Sequence, residues 1–282
     1  MTGRAHVAER RGRGPALMLL HGFTGNAGSM AGLARTLEHD FDVIVPDLPG
    51  HGRSADRAAV PAYDFEACVD DLVATLEAAG HRSAHWLGYS MGARLALGCA
   101  VRQPSRVASL VLLAGRAGIR DPAERSARRE TDEALAARIE ACGVEPFVDE
   151  WLAQPLFATM RRLGPQFVAR ERAARLVNDA AGLASSLRAL GPAAQPPLFD
   201  SLPRVTVPVL LAAGALDTRF VAVAHELARG LPRAEVCVIP DAGHAAHLEQ
   251  PEAFLRVLRE FLRRVAHPAS HDPSSSIQEI AS

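Results

Sequence analysis

Short, almost unbroken apolar runs recur along the chain, each ending in glycine or proline. ALMLLHG (16–22) is the first; FDVIVPDLPGHGRS (41–54), AHWLGYS (84–90), VASLVLLAG (107–115), VPVLLAAGALD (207–217) and AEVCVIPDAGH (234–244) repeat the pattern. Runs of this length without polar alternation predict strands buried on both faces. Between them lie helical spacings, FEACVDDLVATLEAAG (65–80) and GARLALGCAVRQ (92–103). Strands alternating with helices predict an α/β fold, a mainly parallel central sheet with helices on both faces. In such a sheet the functional loops lie at the carboxyl ends of the strands.

One interval breaks the rhythm. From 116 to 203 no strand pattern occurs, only helical segments such as AERSARRETDEALAARIEACG and PQFVARERAARLVNDAAGLASSLRALG. A helical insertion between two sheet strands predicts a cap over the strand ends. The expected division is a core in two parts, 1–115 and 204–266, a helical cap at 116–203, and a tail at 267–282. The tail, HPASHDPSSSIQEIAS, has the Ser/Pro-rich composition of disorder.

Composition adds mainly exclusions. A 282-residue chain with 48% hydrophobic and 22% charged residues has the make-up of an ordinary globular protein. A formal net charge of −1 gives no global attraction to nucleic acid or an anionic membrane, so neither is expected as a partner. All 31 basic residues are arginine, so only an arginine at a special position carries meaning. Cys68, Cys99, Cys142 and Cys237 show no CxxC or Cys/His metal spacing; free thiols in a reducing compartment are expected, with no metal. The apolar run before HGFTG is too short for a signal core or a membrane span, making the cytoplasm the expected location. A monomer or weak homo-oligomer is expected.

Gly88-Tyr89-Ser90-Met91-Gly92 fits G-x-S-x-G, and a strand before it and a helix after it are the context that gives the motif weight. A serine on a sharp strand-to-helix turn is exposed at the sheet's edge, with the following amide aimed at a nascent oxyanion. Such a serine needs a base, and the base needs an orienting acid. Asp217 ends one strand run and His244 follows the next, in the order Ser, Asp, His that this arrangement requires. His247 competes as base and Asp241 as acid. His247, however, opens a helix, and Asp241 is too near His244 in sequence to approach from a separate loop. LHGFTGN (20–26) suits a second oxyanion donor, the Phe23 amide joining that of Met91. His21 reads as a support of that loop, and DLPGHGRS, with Asp47 and His51, as a structural loop.

Arg94 is the unusual feature. One helical turn beyond Ser90, it shares the serine's face of the helix. It either turns away to a surface carboxylate or binds a substrate carboxylate beside the serine.

From about residue 15 to 266 the chain resembles the α/β-hydrolase superfamily. LHGFTGN, DLPGHGRS, GYSMGARLAL, FVDEWLAQPLF, AAGALDTRF and GHAAHLEQPEAF together resemble a narrower family. That family is the menaquinone-biosynthesis synthases that make 2-succinyl-6-hydroxy-2,4-cyclohexadiene-1-carboxylate. The resemblance implies a lyase without cofactor that eliminates pyruvate from a 5-enolpyruvyl precursor, a small-molecule polycarboxylate. It also implies substrate contacts from Tyr89, Arg94, Arg128 (or its neighbour Arg129), Trp151, Phe157 and Arg175. Arg219 stands where the family often has lysine. Two alternatives remain at this point: a carboxylesterase or carbon–carbon bond hydrolase of the same fold, and a binding protein without turnover, which the intact Ser, Asp and His disfavour.

Overall fold

The computed structural model describes residues 3–59 and 63–266; the tail expected at 267–282 lies outside them. Among the described residues seven strands form one sheet: β1 (Ala8–Arg11), β2 (Ala16–Leu20), β3 (Asp42–Pro46), β4 (Ala84–Tyr89), β5 (Val107–Leu113), β6 (Val209–Gly214) and β7 (Ala234–Ile239). Their order is β1-β3-β2-β4-β5-β6-β7, parallel throughout except for β1, which pairs antiparallel with β3. This is an α/β fold of the expected kind. Strands β2 to β6 coincide with the apolar runs because helices cover both faces, leaving few positions for a polar residue; Asp42, His85 and Ser109 are buried there with hydrogen-bond partners. β1 has no such run: AERR sits at the edge, where charged side chains reach water and discourage pairing with another chain.

Among the described residues ten α-helices accompany the sheet. Four lie in the core's first part or lead out of it: α1 (Ala31–Leu37), α2 (Phe65–Ala78), α3 (Met91–Arg102) and α4 (Pro122–Cys142). Then come α5 (Val144–Ala153), α6 (Pro165–Arg175) and α7 (Ala180–Leu190), and finally α8 (Thr218–Gly230), α9 (Ala246–Glu249) and α10 (Pro251–Ala266). α4 to α7 fall between β5 and β6 with no strand among them. The single helical pattern read over 165–191 is two helices, because Asp179 caps α7 through the Gly182 amide at 2.8 Å and the chain turns at Asn178. Two apolar cores lie on opposite faces of the sheet; the side chains of Met18 and Trp86 enter one, those of Leu17 and Leu87 the other. A smaller cluster joins α4, α5 and α7 around Ile139, Phe147 and Leu183.

The β4–α3 junction is the tightest point of the fold. A Cβ on Gly88 would lie 2.3 Å from the Gly92 carbonyl, and one on Gly92 would lie 2.3 Å from the Leu20 carbonyl oxygen. Both obstacles are backbone and cannot swing aside. Gly88→Ala should therefore cost about 3 kcal/mol or more, at the upper end of overpacking in a close-packed core. Urea unfolding checks it, and a midpoint equal to that of the parent chain would show that the junction relaxes freely.

Candidate active site

Ser90, between β4 and α3, has a positive φ, 52° with ψ −106°, which a side-chain-bearing residue adopts only when its surroundings impose it. Its amide donates to the Leu113 carbonyl at 2.8 Å, tying the turn to β5. The hydroxyl is thereby lifted off the sheet toward His244, whose Nε2 lies 3.1 Å from Ser90 Oγ. On the other side of the ring, His244 Nδ1 lies 2.7 Å from Asp217 Oδ2. With the proton on Nδ1 donated to the carboxylate, Nε2 is free to accept from the serine.

Each member is held by its own element. The second Asp217 oxygen accepts the Phe220 amide at 3.3 Å, placing the carboxylate at the N-terminus of α8, where the helix dipole favours a negative charge. The loop carrying His244 is clamped by the buried Glu249 carboxylate, which accepts the Gly243 amide at 2.9 Å and the Ala245 amide at 3.3 Å. Rings of Phe220, Tyr89 and Phe157 stand around the imidazole with centroids 4.8, 5.4 and 6.2 Å away. They bury the ring on those sides, and it also lines the cavity that holds Ser90.

The loop after β2 brings Phe23 to the same place. Met91 opens α3, where first-turn amides have no partner within the helix. The Phe23 amide makes no hydrogen bond among the described residues, and Phe23, Met91, Ser90 and His244 all line one cavity. The loop is held by two histidines. His21 accepts the Leu48 amide at Nε2 (3.0 Å), its Nδ1 facing the Gly22 carbonyl at 2.9 Å. His51 accepts the Thr24 amide at Nε2 (3.1 Å), its Nδ1 facing the Pro49 carbonyl at 3.0 Å. Each imidazole thus bridges the loop after β2 and the loop after β3 in its neutral form. Thr24 has φ 68°, strained for a β-branched residue, and its carbonyl is gripped by Asn178 Nδ2 at 2.7 Å. Asn178 also accepts the Gly52 amide at 2.9 Å, so one side chain joins the turn before α7 to both loops.

Arg94 is buried at 6% exposure and lines the cavity with Ser90. No carboxylate pairs with it. Its guanidinium donates to the Leu190 carbonyl at 2.7 Å and more loosely to the Gly191 carbonyl and Gln195 Oε1, at 3.4 and 3.5 Å. Those carbonyls close α7, so the negative end of that helix partly compensates the charge. Burial, reinforced by Arg128 and opposed by Asp132, still lowers the guanidinium pKa to about 9, leaving it cationic at neutral pH. Arg128 lines the cavity, with its Nε on Asp132 Oδ1 at 2.7 Å; Arg129 does not line it and reaches instead to the Ala193 carbonyl.

Of the other residues carried over from the family, Trp151 lines the cavity, and its indole Nε1 is buried without a partner. Tyr89, Phe157 and Arg175 do not line it. Tyr89 packs on His244 and His247, and Phe157 packs on Trp151 and His244. Arg175 is buried with its terminal nitrogen on Glu171 at 2.7 Å. His247 is buried under Tyr89 and does not touch Ser90, whereas Asp241 meets Arg162 through its carbonyl. Sequence reasoning missed Asn178 and Glu249. The only signal for either was its place, one between two helical runs, the other in GHAAHLEQPEAF. Arg116 and Arg219 also line the cavity. Among the described residues no cluster of His, Cys, Asp and Glu is arranged to hold a metal ion, and no helix is long and apolar enough to cross a membrane.

Comparison with known proteins places this geometry. A model of the alpha/beta hydrolase fold matches residues 15–251. The 2-succinyl-6-hydroxy-2,4-cyclohexadiene-1-carboxylate synthase of Enterobacter sp. (strain 638) is 34% identical over 88% of this chain and 92% of its own. Among solved structures, MenH from S. aureus superposes with a TM-score of 0.87 at 28% identity, covering 92% of this chain and 98% of that one. A malate-bound thermophilic esterase from Thermogutta terrifontis superposes with a TM-score of 0.80 at 31% identity, over 92% and 93%.

The site's histidines make acid its weak condition. Burial lowers the pKa of His21 to about 4 and of His51 and His247 to about 3, from the ordinary 6.5. A histidine depressed on folding binds its proton more readily in the unfolded chain. Its contribution is therefore complete above pH 6.5 and is lost as pH falls from there toward 4 and 3. If all three remain neutral in the folded chain at pH 5, stability should fall by up to about 4 kcal/mol per pH unit. His51→Gln removes one of the three titrating groups and should reduce that slope by about a third. Urea midpoints measured from pH 8 to 5 check both, and a flat profile would mean that the imidazoles are protonated in place.

Proposed function

The chain belongs to the 2-succinyl-6-hydroxy-2,4-cyclohexadiene-1-carboxylate synthase family of the alpha/beta hydrolase fold, and we propose that it is the pyruvate-eliminating lyase of menaquinone biosynthesis. Its substrate would be 2-succinyl-5-enolpyruvyl-6-hydroxy-3-cyclohexene-1-carboxylate. The observation that carries this reading is the buried Arg94, cationic and without a carboxylate partner, in the same cavity as Ser90 and Arg128. An uncompensated buried guanidinium is costly, and a substrate carboxylate is the group that would offset it.

The chemistry follows from substrate and product. Turning a 3-ene with an oxygen leaving group at C5 into a 2,4-diene requires loss of the proton on C2, beside the succinyl ketone. His244, held by Asp217, takes the Ser90 proton, and the serine oxygen removes that ring proton. The C–H pair forms the C2=C3 double bond, the existing double bond moves to C4=C5, and the C5–O bond breaks. The enolpyruvate released takes up a proton to become pyruvate. Ser90 acts as a base, and no acyl-enzyme forms. The Phe23 and Met91 amides meet negative charge on the serine or on the ketone oxygen, each worth about 3 kcal/mol where the site is preorganised. Arg94 and Arg128 hold carboxylates and so supply positioning. Trp151 forms an aromatic wall, and α4–α7 serve as the cap. Tyr89 and Phe157 pack on His244 and act through its placement, while Arg175 is held by Glu171 outside the cavity lining.

A carboxylesterase is the second reading, favoured by the malate-bound esterase of similar structure. Pyruvate release from the enolpyruvyl substrate, followed beside p-nitrophenyl acetate hydrolysis, separates the two. Rapid pyruvate release with poor ester hydrolysis is expected; brisk esterase activity without pyruvate would replace the lyase with the hydrolase. Ser90→Ala should lower kcat by roughly 10⁴ or more while leaving substrate affinity within about threefold. Arg94→Ala should lower kcat/KM by about 100-fold, the scale of one or two hydrogen bonds to a charged group. Arg94→Lys should recover only part of that, because an ammonium cannot make the bidentate contact. Equal loss of affinity and turnover in Ser90→Ala would remove the serine from its assigned role.

A further inference from the structure

Four guanidinium groups line the Ser90 cavity, and the family resemblance accounts for two of them. Arg94 and Arg128 approach from the elbow helix and from α4. Arg116 and Arg219 come from the core, Arg116 three residues beyond β5 and Arg219 in the first turn of α8. Arg116 uses only its Nε for a hydrogen bond, to the Gly118 carbonyl at 3.1 Å. The nearest carboxylate to its terminal nitrogens is Glu124 at 4.0 Å, itself 60% exposed and thus well screened. Arg219 makes no hydrogen bond or ion pair among the described residues. Burial, and next the charge of Arg219, hold the Arg116 guanidinium below its ordinary range, as expected for two cations facing one space.

The charges in the cavity wall do not balance. Asp132 answers Arg128, Asp217 faces His244, and Glu124 stands off at the surface. The four cations come from four separate elements, α3, α4, the loop after β5 and the start of α8, and the two oxygens of one carboxylate are too few to answer all of them. The side chain of Ser186 is a separate sign of a polar occupant: it is fully buried, it lines the same cavity, and its hydroxyl has no partner. We infer that Arg116 and Arg219 form a second anion subsite, binding a carboxylate of the substrate other than the one held at Arg94 and Arg128. The pair sets specificity for ligands carrying at least two separated carboxylates. This rests on the lyase reading for the identity of the substrate, though not for the existence of the subsite.

The test uses the full-length chain and the variants Arg116→Gln and Arg219→Gln, titrated calorimetrically with tricarballylate and, as a one-carboxylate control, acetate. Each variant should weaken tricarballylate binding at least tenfold and change acetate binding less than twofold. With the enolpyruvyl substrate, each should raise KM at least tenfold with a smaller effect on kcat. Unchanged tricarballylate affinity, or equal weakening for tricarballylate and acetate, would overturn the subsite in favour of a general field effect. So would wild-type protein binding tricarballylate no better than acetate. Arg219→Gln removes no hydrogen bond, so it decides the matter even if Arg116→Gln fails to fold. Selective tricarballylate binding without pyruvate release would retain the subsite and discard the lyase; pyruvate release with unaffected variants would do the reverse.

Discussion

The site takes its coordinates from the close backbone contact among Gly88, Gly92 and Leu20. With no Cβ at either glycine, α3 begins hard against β2 and β4, and the one residue between strand and helix must take up the turn. That residue is Ser90, at φ 52°. A serine at positive φ is strained, and the strain persists because its amide is bonded to Leu113 and α3 is fixed by the core. The same contact aims the first amide of α3 and the oxygen of Ser90 into one cavity. It also fixes Arg94 one turn along, where a helix of this position ordinarily buries something apolar. The geometry that exposes the serine thus also buries a charge.

That charge shapes what surrounds it. The Arg94 guanidinium fastens the elbow helix to the end of α7 through carbonyls, which orient it without neutralising it. A carboxylate in their place would have satisfied the arginine and left the cavity with less to offer an anion. Asn178 and the two buried histidines serve a similar end by different means. They hold the loops after β2 and β3 with neutral hydrogen bonds, so the oxyanion loop is rigid without adding charge beside the serine.

Much of this was legible in the chain. The apolar runs marked β2 to β6, because burial on both faces leaves little other pattern available, and β7, only partly covered at the sheet's edge, still carried the run VCVI. Ser90, Asp217 and His244 were legible because each follows the carboxyl end of a strand and the order is constrained by the fold. What escaped notice depends on tertiary contacts. β1 is four residues of mostly polar sequence whose only reason to be a strand is the free edge of β3. Asn178 looks like any loop asparagine until α7 turns back over Thr24. Glu249 is a helix-end carboxylate whose work is done on two amides four and six residues earlier. Arg175 matched a family position by local sequence, but its partner is Glu171, one turn away on its own helix, and nothing in the linear pattern tells an inward from an intrahelical arginine. Between Arg128 and Arg129 the sequence could not choose; the helix phase puts the first on the cavity and the second on Ala193.

The fold and the triad leave hydrolysis and elimination equally open, since a serine activated by histidine can attack a carbonyl or remove a proton. The surroundings separate them. Hydrolysis through an acyl-enzyme needs a water placed at His244 in its second half. Elimination needs no water. It needs the acidic C–H held still beside the serine, and it builds negative charge on a ligand that is already anionic. A cationic wall favours that ligand in the ground state and more strongly in the transition state, where the charge grows. A cavity wall with more arginines than carboxylates is a poor setting for a neutral ester and an apt one for a polycarboxylate losing a proton.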